Sequence, residues 1–294
     1  MTVRFWQAMV YADPTELVEA APHLERAGFH GVTMGDHLFF AHHQRSRYPY
    51  SRDGLVSWQP GTAWPDPWVA FGAMAAVTSS LRFATDVYVA PARDPFSTVK
   101  AVSTAAVLSG NRIALGVGAG WCAEEFAQTG QEFATRGARL DELIPVLRTL
   151  LTGDRTEWQG THYRFDAVQV SPAPTEPVPI YLGGHSAAAL RRAARLGDGW
   201  IGAFTQQPEA DRILDALNAE LAAAGRDRGE FRIILSLLGN PGQPVYRDYA
   251  RRGVTDFVAA PWGNRHPDLR ARLATATRFA ERIIAPLSDH TTTW

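Results

Sequence analysis

The sequence predicts an α/β fold: a (β/α)8 TIM barrel with long insertions after strands 2 and 4. Three observations lead there. Short apolar runs alternate with amphipathic ones from end to end, in eight strand-then-helix units. A joint of helix end, glycine and apolar strand recurs at Ala27-Gly28-Phe29, Ser109-Gly110-Asn111, Leu196-Gly197-Asp198 and Arg252-Gly253-Val254. Strict alternation implies a parallel sheet covered by crossover helices. Eight units in 294 residues suit one closed barrel, a single domain over 1–294, better than an open sheet.

Each element has its own signal. Residues 3–10 form an apolar run that stops at Asp13-Pro14, and read as the first strand. Asp13, Pro14 and Glu16 supply an N-cap, a first-turn proline and a capping-box acid, with Leu17, Ala21 and Leu24 on one helical face. Residues 30–34 are a short strand delivering Gly35-Asp36-His37. The spacing predicts a helix over 67–78, and β-forming residues predict a strand over 81–89. Asp94-Pro95 opens a helix closed by Ser109-Gly110, and a strand follows Asn111. Leu140, Leu143, Ile144, Leu147 and Leu151 make an amphipathic stripe. The second half predicts strands at 178–182, 199–204, 232–238 and 254–260, alternating with helices at 187–196, 208–224, 245–252 and 268–284.

Two insertions interrupt this grammar. The run 38–65 far exceeds an ordinary βα loop and carries Phe39, Phe40, Tyr48, Tyr50, Trp58 and Trp64, so it reads as a lid or substrate wall. The run 154–174 places Glu157-Trp158 and Tyr163-Arg164-Phe165 on either side of Gly160, which suggests a hairpin.

Composition narrows the function. A formal charge of -1 gives no basic footprint for nucleic acid or anionic lipid. No stretch reaches the roughly 18 apolar residues of a membrane helix, and no signal-peptide pattern precedes residues 3–10. Cys122 is the only cysteine, so no internal disulfide framework or multi-cysteine metal site is expected, and a reducing, cytoplasmic setting fits. His42-His43 lacks a placed carboxylate partner, and no metal is expected there.

The most informative stretch is 111–126, Asn-Arg-Ile-Ala-Leu-Gly-Val-Gly-Ala-Gly-Trp-Cys-Ala-Glu-Glu-Phe. It reads as an apolar strand opening into a turn where backbone meets ligand, with Gly116, Gly118 and Gly120 removing Cβ atoms. A Rossmann fingerprint needs a third glycine where Trp121 stands, so that reading fails. Glu124 and Glu125 suit the first turn of a helix. In a barrel the chemistry lies where strands end, which gathers Asp36-His37, Asp86-Val87, Gly118-Ala119-Gly120 and Gly183-Gly184-His185-Ser186 around one mouth. A glycine pair before a helix start also presents free N–H groups to a phosphate.

Gly35-Asp36-His37, Arg93-Asp94-Pro95, Leu108-Ser109-Gly110-Asn111-Arg112, the turn from Gly116 to Trp121, Glu125-Phe126 with Gly130, Pro179-Ile180-Tyr181-Leu182-Gly183-Gly184-His185-Ser186 and Gly197-Asp198-Gly199-Trp200 keep one order along the chain. Together they resemble the luciferase-like monooxygenase superfamily, and within it most closely the oxidoreductases that use the deazaflavin coenzyme F420. The resemblance implies hydride transfer between the deazaflavin C5 and a partly apolar organic substrate. It places Asp36 at the ring or its polar edge, His37 near the reactive carbon, Ala119 and Gly120 as backbone against the cofactor, and Gly183, Gly184, Ser186 and Ala187 around its phosphate. It also implies a non-prolyl cis peptide between Asp86 and Val87, bulging under the ring. His37 is then the proton donor or acceptor, and Phe39, Trp64 and Trp121 line the substrate side. The sugar-phosphate dehydrogenases of this branch carry glutamate where Trp121 stands, which points to a more apolar substrate. A homodimer is expected, with a small molecule as substrate. Two alternatives share the fold: a two-component monooxygenase using FMN, and a non-catalytic flavin-binding barrel.

Overall fold

The computed structural model describes residues 3–262 and 268–288. The chain begins with β1 (Arg4–Ala8), α1 (Leu17–Arg26), β2 (Gly31–Met34), α2 (Pro67–Ala75), β3 (Arg82–Thr85), α3 (Pro95–Ser109) and β4 (Ile113–Val117). It continues through α4 (Ala123–Gln128), α5 (Arg136–Leu151), β5 (Thr156–Gln159), β6 (Arg164–Val168), β7 (Ile180–Gly183), α6 (Ala187–Leu196) and β8 (Gly199–Ile201). It closes with α7 (Gln207–Ala223), β9 (Arg232–Ser236), α8 (Gln243–Arg251), β10 (Asp256–Ala259) and α9 (Leu269–Phe279). All strands but β5 and β6 pair in parallel into one closed barrel, with β10 returning to β1. The (β/α)8 reading therefore holds.

Strand periodicity divides the core in two. Alternate residues point to opposite faces, so Trp6, Ala8, Ala84, Tyr181, Ile201 and Ile234 pack inside the barrel. Phe5, Val32, Phe83, Leu115 and Phe257 face the helices in a separate and larger cluster. The interior mixes bulk with absence of bulk: a Cβ on Gly31 would lie 2.4 Å from the Trp6 ring, so the indole fills the space that β2 leaves.

Capping acids set the helix starts. Asp66 accepts from the N–H of Trp68 and Val69 at 2.9 and 3.0 Å, Asp94 from Ser97 at 2.8 Å, and Asp268 from Ala271 at 2.7 Å, each satisfying amides that have no partner inside the helix. Gly110 ends α3 in the left-handed region.

The insertions take different forms. Strands β5 and β6 form the antiparallel hairpin expected around Gly160. Glu142 of α5 holds its tip, accepting from Trp158 Nε1 and from the N–H of Thr161, His162 and Tyr163. The run 38–65 has no regular helix or strand and folds toward the barrel mouth. Some strands are shorter than the sequence suggests: the one expected over 199–204 ends at Ile201, and the one expected over 81–89 ends at Thr85, where a cis peptide joins Asp86 and Val87, with pairing resumed at Tyr88 against Val117. The helix expected over 268–284 runs as α9 to Phe279, through a π-helical turn over Ala280–Ile284, and on into a short helix over Ala285–Ser288.

A methyl group placed on Gly116 would sit 1.9 Å from the Thr85 carbonyl oxygen, which is backbone and cannot swing aside. Gly116→Ala is therefore expected to lose about 3 kcal/mol or more in urea unfolding. Gly72→Ala in α2, where the nearest atom is 3.9 Å away, is expected to be neutral or to gain up to about 1 kcal/mol. Equal effects from the two changes would contradict the packing described for β3 and β4.

Candidate active site at the barrel mouth

Asp36 and His37 leave β2 together but do different work. The Asp36 carboxylate accepts two parallel bonds from Arg93, both 2.8 Å, and a third from the Val89 N–H at 3.0 Å. Burial raises this carboxyl above its ordinary value, and the guanidinium and the amide act against that rise. Both oxygens are thus engaged by the turn after β3. Asp36 is a strut between β2 and that turn, and leaving either charge alone in so buried a place would be strongly destabilising. Direct contact with a cofactor ring, expected from the sequence, is not what these bonds provide.

His37 is held on the other side, by α4. Its Nδ1 lies 3.1 Å from Glu125 Oε1, which also accepts from the Leu38 N–H at 2.8 Å. Glu125 is buried in the first turn of α4. An acceptor-only carboxylate at Nδ1 assigns the proton to that nitrogen and leaves Nε2 to receive or deliver one. Three indoles enclose the imidazole, with ring centroids 4.7 Å away for Trp64, 5.0 Å for Trp58 and 5.6 Å for Trp121. Tyr48 extends the enclosure, 5.2 Å from Trp121 and 5.5 Å from Tyr50, and Tyr11 packs on Trp64 at 5.1 Å. The predicted wall residues Trp64 and Trp121 therefore lie in the cage. Phe39 does not: it is 39% exposed and joins no ring contact among the described residues.

Glu124 fastens the aromatic loop from outside. It accepts from the N–H of Arg45 and Ser46 at 2.6 and 3.1 Å. Burial acts to raise this carboxyl, but those hydrogen bonds outweigh it and hold it at about 2. The acid pair thus begins a helix as expected, and it also ties the loop down and orients His37.

The floor of the mouth is Val87. Its methyl groups fill the positions where side chains on β4 and β7 would begin: a Cβ on Gly118 would lie 2.6 Å from Cγ2, and one on Gly183 2.5 Å from Cγ1. A Cβ on Gly120 would meet Val89 at 2.6 Å and Phe126 at 2.7 Å. This revises the sequence reading of the glycine turn. Those glycines admit the protein's own side chains and backbone, whatever ligand lies above. Asp86, beside Val87, is partly open to the mouth, and its carboxyl has no hydrogen-bond or ion-pair partner among the described residues. Burial pushes it up to about 7.

At the end of β7 the glycine pair leads into the capped start of α6. Trp200 Nε1 donates to the Gly184 carbonyl at 2.9 Å, and Ser186 caps α6 by accepting from Ala189 N–H at 3.2 Å. Ser186, Ala187 and Ala188 are exposed at the start of this ten-residue helix, where the first amides have no partner inside the helix. His185 lies deeper; burial lowers its pKa, and its Nε2 has no partner among the described residues.

A cavity of about 530 Å3 opens at the opposite end of the barrel, lined by Arg4, His30, Arg82, Tyr181 and Arg232 among others. It lies at the amino ends of the strands, where barrel residues commonly serve stability, and none of the predicted site residues reaches it. No helix among the described residues is long and apolar enough to cross a membrane.

Sequence reasoning missed Arg93 and Glu125 as partners. Neither stands alone in an apolar run, since Asp94 follows Arg93 and Glu124 precedes Glu125, so the sequence gives no local sign that either is buried and paired across the barrel.

Comparison with known proteins agrees with this geometry. A family model described as luciferase-like monooxygenase matches residues 2–241, and the chain belongs to that family. A protein of Mycobacterium tuberculosis strain H37Rv, itself described only as uncharacterised, is 36% identical over 289 residues, covering 96% of this chain and 99% of its own. An F420-dependent glucose-6-phosphate dehydrogenase of Nakamurella multipartita is 32% identical over 229 residues, covering 76% of this chain and 63% of its own. Among solved structures, the coenzyme F420-dependent tetrahydromethanopterin reductase of Methanopyrus kandleri superposes with a TM-score of 0.75 at 14% identity, covering 98% of this chain and 100% of its own.

The Glu124 anchor gives a pH prediction. A carboxyl held at about 2 against an ordinary 4.5 contributes fully above the unfolded value and is lost as pH falls through the folded one. Limited proteolysis within 38–65 is expected to be several-fold faster in Glu124→Gln than in the natural chain at pH 7. That difference should shrink as pH falls from about 4.5 toward about 2. An equal cleavage rate at pH 7 would show that the loop does not depend on this anchor.

Proposed function

We propose that this chain, an oxidoreductase of the luciferase-like family, is F420-dependent and transfers a hydride between the deazaflavin C5 and a partly apolar organic substrate. One observation carries this reading: His37, held at Nδ1 by buried Glu125, sits inside an indole cage beside the Val87 floor. Its relatives supply the cofactor class, since two of the proteins compared are named F420-dependent.

The residues present fit that cofactor. The exposed amides at Ser186 and Ala187, reached through Gly183 and Gly184, suit its phosphate. Val87, with Ala119 and Gly120 at the neighbouring strand end, offers a flat apolar bed for the ring. Hydride exchange is the chemistry that F420 supplies when bound.

The protein's own part is position, exclusion of water and a proton. Glu125 fixes which nitrogen of His37 carries hydrogen, so Nε2 is the atom that delivers or collects the proton. Trp58, Trp64, Trp121 and Tyr48 keep water from the site and wall a substrate with apolar surface. Trp121 presents an indole and no charge, which favours such a substrate over a sugar phosphate. Asp36 acts at one remove, holding the end of β2 through Arg93.

Two measurements test this reading. F420 is expected to quench tryptophan fluorescence at low micromolar concentration with FMN much weaker, and FMN binding without F420 binding would move the chain to the monooxygenase reading. His37→Ala is expected to lower turnover by about 10²–10⁴-fold with cofactor binding retained, and full turnover would remove the histidine from the chemistry.

The exposed apolar residues Val69 of α2 and Val107 and Leu108 of α3 favour a homodimer. Light scattering is expected to give twice the 32.3 kDa chain mass, and a monomer at micromolar concentration would contradict it.

A further inference from the structure

Four acids stand around the mouth, and three are committed to the protein. Asp36 is held by Arg93, Glu124 by the Arg45 and Ser46 amides, and Glu125 by His37 and the Leu38 amide. Asp86 alone of the four has no hydrogen bond or ion pair from its carboxyl among the described residues. Its N–H bonds the Met34 carbonyl at 2.7 Å, which fixes the backbone at the rim. It lies two residues past the inward-facing Ala84, on the same side of the strand before the turn. The oxygens remain open to the mouth.

The surroundings of this carboxyl are aromatic. Tyr48 and Tyr50 both feel its charge. A Cβ on Gly35 would meet the Trp64 ring at 2.9 Å and the Asp86 backbone carbonyl at 3.5 Å, so the indole lies near the backbone that carries this carboxyl. Trp58 joins Tyr48 at 5.4 Å and Trp64 at 5.2 Å to close the enclosure. Among the described residues no arginine or lysine lies over any of these rings.

Three substrate classes can be weighed against that arrangement. An anionic group would meet a like charge in a water-poor space. A wholly apolar group would cover the carboxyl and leave it without a partner, an expensive outcome for a polar atom. A cation satisfies both features, since ring faces attract positive charge and the carboxylate neutralises it. We propose that the mouth takes a substrate bearing a cationic nitrogen, with Asp86 as its counter-charge and Tyr48, Tyr50, Trp58 and Trp64 as its cage. This rests on the oxidoreductase reading for the identity of the site and goes beyond it in naming the substrate class.

The charge state of Asp86 gives a second handle. Burial holds the carboxyl at about 7, and a bound cation favours its ionised form. The other titratable groups around the mouth are Tyr11, Tyr48 and Tyr50, all pushed upward by burial and neutral at these pH values, Cys122, pushed up to about 12 by burial, His185, lowered by burial, His37 with Glu125 behind it, Glu124, held at about 2 by its hydrogen bonds, and the Asp36–Arg93 pair.

The test uses the full chain and its tryptophan fluorescence, titrated at pH 8 with benzyltrimethylammonium and with its neutral isostere neopentylbenzene. The cation is expected to bind about tenfold more tightly. Asp86→Asn should reduce that preference to less than about threefold. In the natural chain the preference should grow as pH rises through about 7, and this growth should vanish in Asp86→Asn, which separates Asp86 from His37. Should the variant not fold, the pH series on the natural chain decides. Equal affinity for the two probes, or a preference that neither the substitution nor pH alters, overturns the proposal. F420 titration of the natural chain reports separately: cation preference without F420 binding defeats the cofactor reading alone, and F420 binding without cation preference defeats this proposal alone.

Discussion

Val87 projects across the carboxyl end of the barrel into space that β4 and β7 leave open by carrying glycine. Side chains at Gly118 or Gly183 would begin within 2.6 Å of its methyl groups, far inside carbon–carbon contact distance. The mouth is built around that contact. It brings the ends of β3, β4 and β7 together, sets the floor of the site, and leaves Asp86 at the rim. Behind it the Asp36–Arg93 pair ties the end of β2 to the turn after β3, so four strand ends are fixed relative to one another before any ligand arrives.

Rigid strand ends matter because the loop above them is irregular. Residues 38–65 carry most of the cage, and α4 holds them through two adjacent acids with different tasks. Glu124 grips the loop backbone, while Glu125 grips His37 and Leu38. One short helix therefore couples closure of the aromatic wall to the orientation of the imidazole. A loop pulled away from α4 would expose His37 to water and free its ring. Protection of the site and placement of the imidazole thus share an anchor.

Much of this was legible in the sequence. The strand and helix periods give the barrel, and helix α6 was read with its observed bounds of Ala187–Leu196. The motif order gives the family, the hairpin around Gly160 follows from its flanking β-formers, and the cis peptide at Asp86–Val87 is where the resemblance implied it. Contacts between distant segments were harder. The resemblance implies a ligand role for Asp36, and its commitment to Arg93, 57 residues away, stays hidden because charge pairing across a barrel leaves no local pattern. The glycines of 116–120 were read as making room for a ligand, since local sequence reports a missing Cβ without saying what occupies the space. Phe39 shows the same limit: loop composition foretold an aromatic wall, but which rings turn inward depends on tertiary packing.

On the function proposed above, this mouth holds a deazaflavin over Val87 with His37 beside it. A crystal structure with F420 bound tests that placement most directly. The phosphate is expected on the amides at Ser186 and Ala187, the ring over Val87 between Gly118 and Gly183, and His37 Nε2 turned toward the reactive carbon. A cofactor seated in the arginine-lined cavity at the opposite end of the barrel, or with its ring away from Val87, would contradict it.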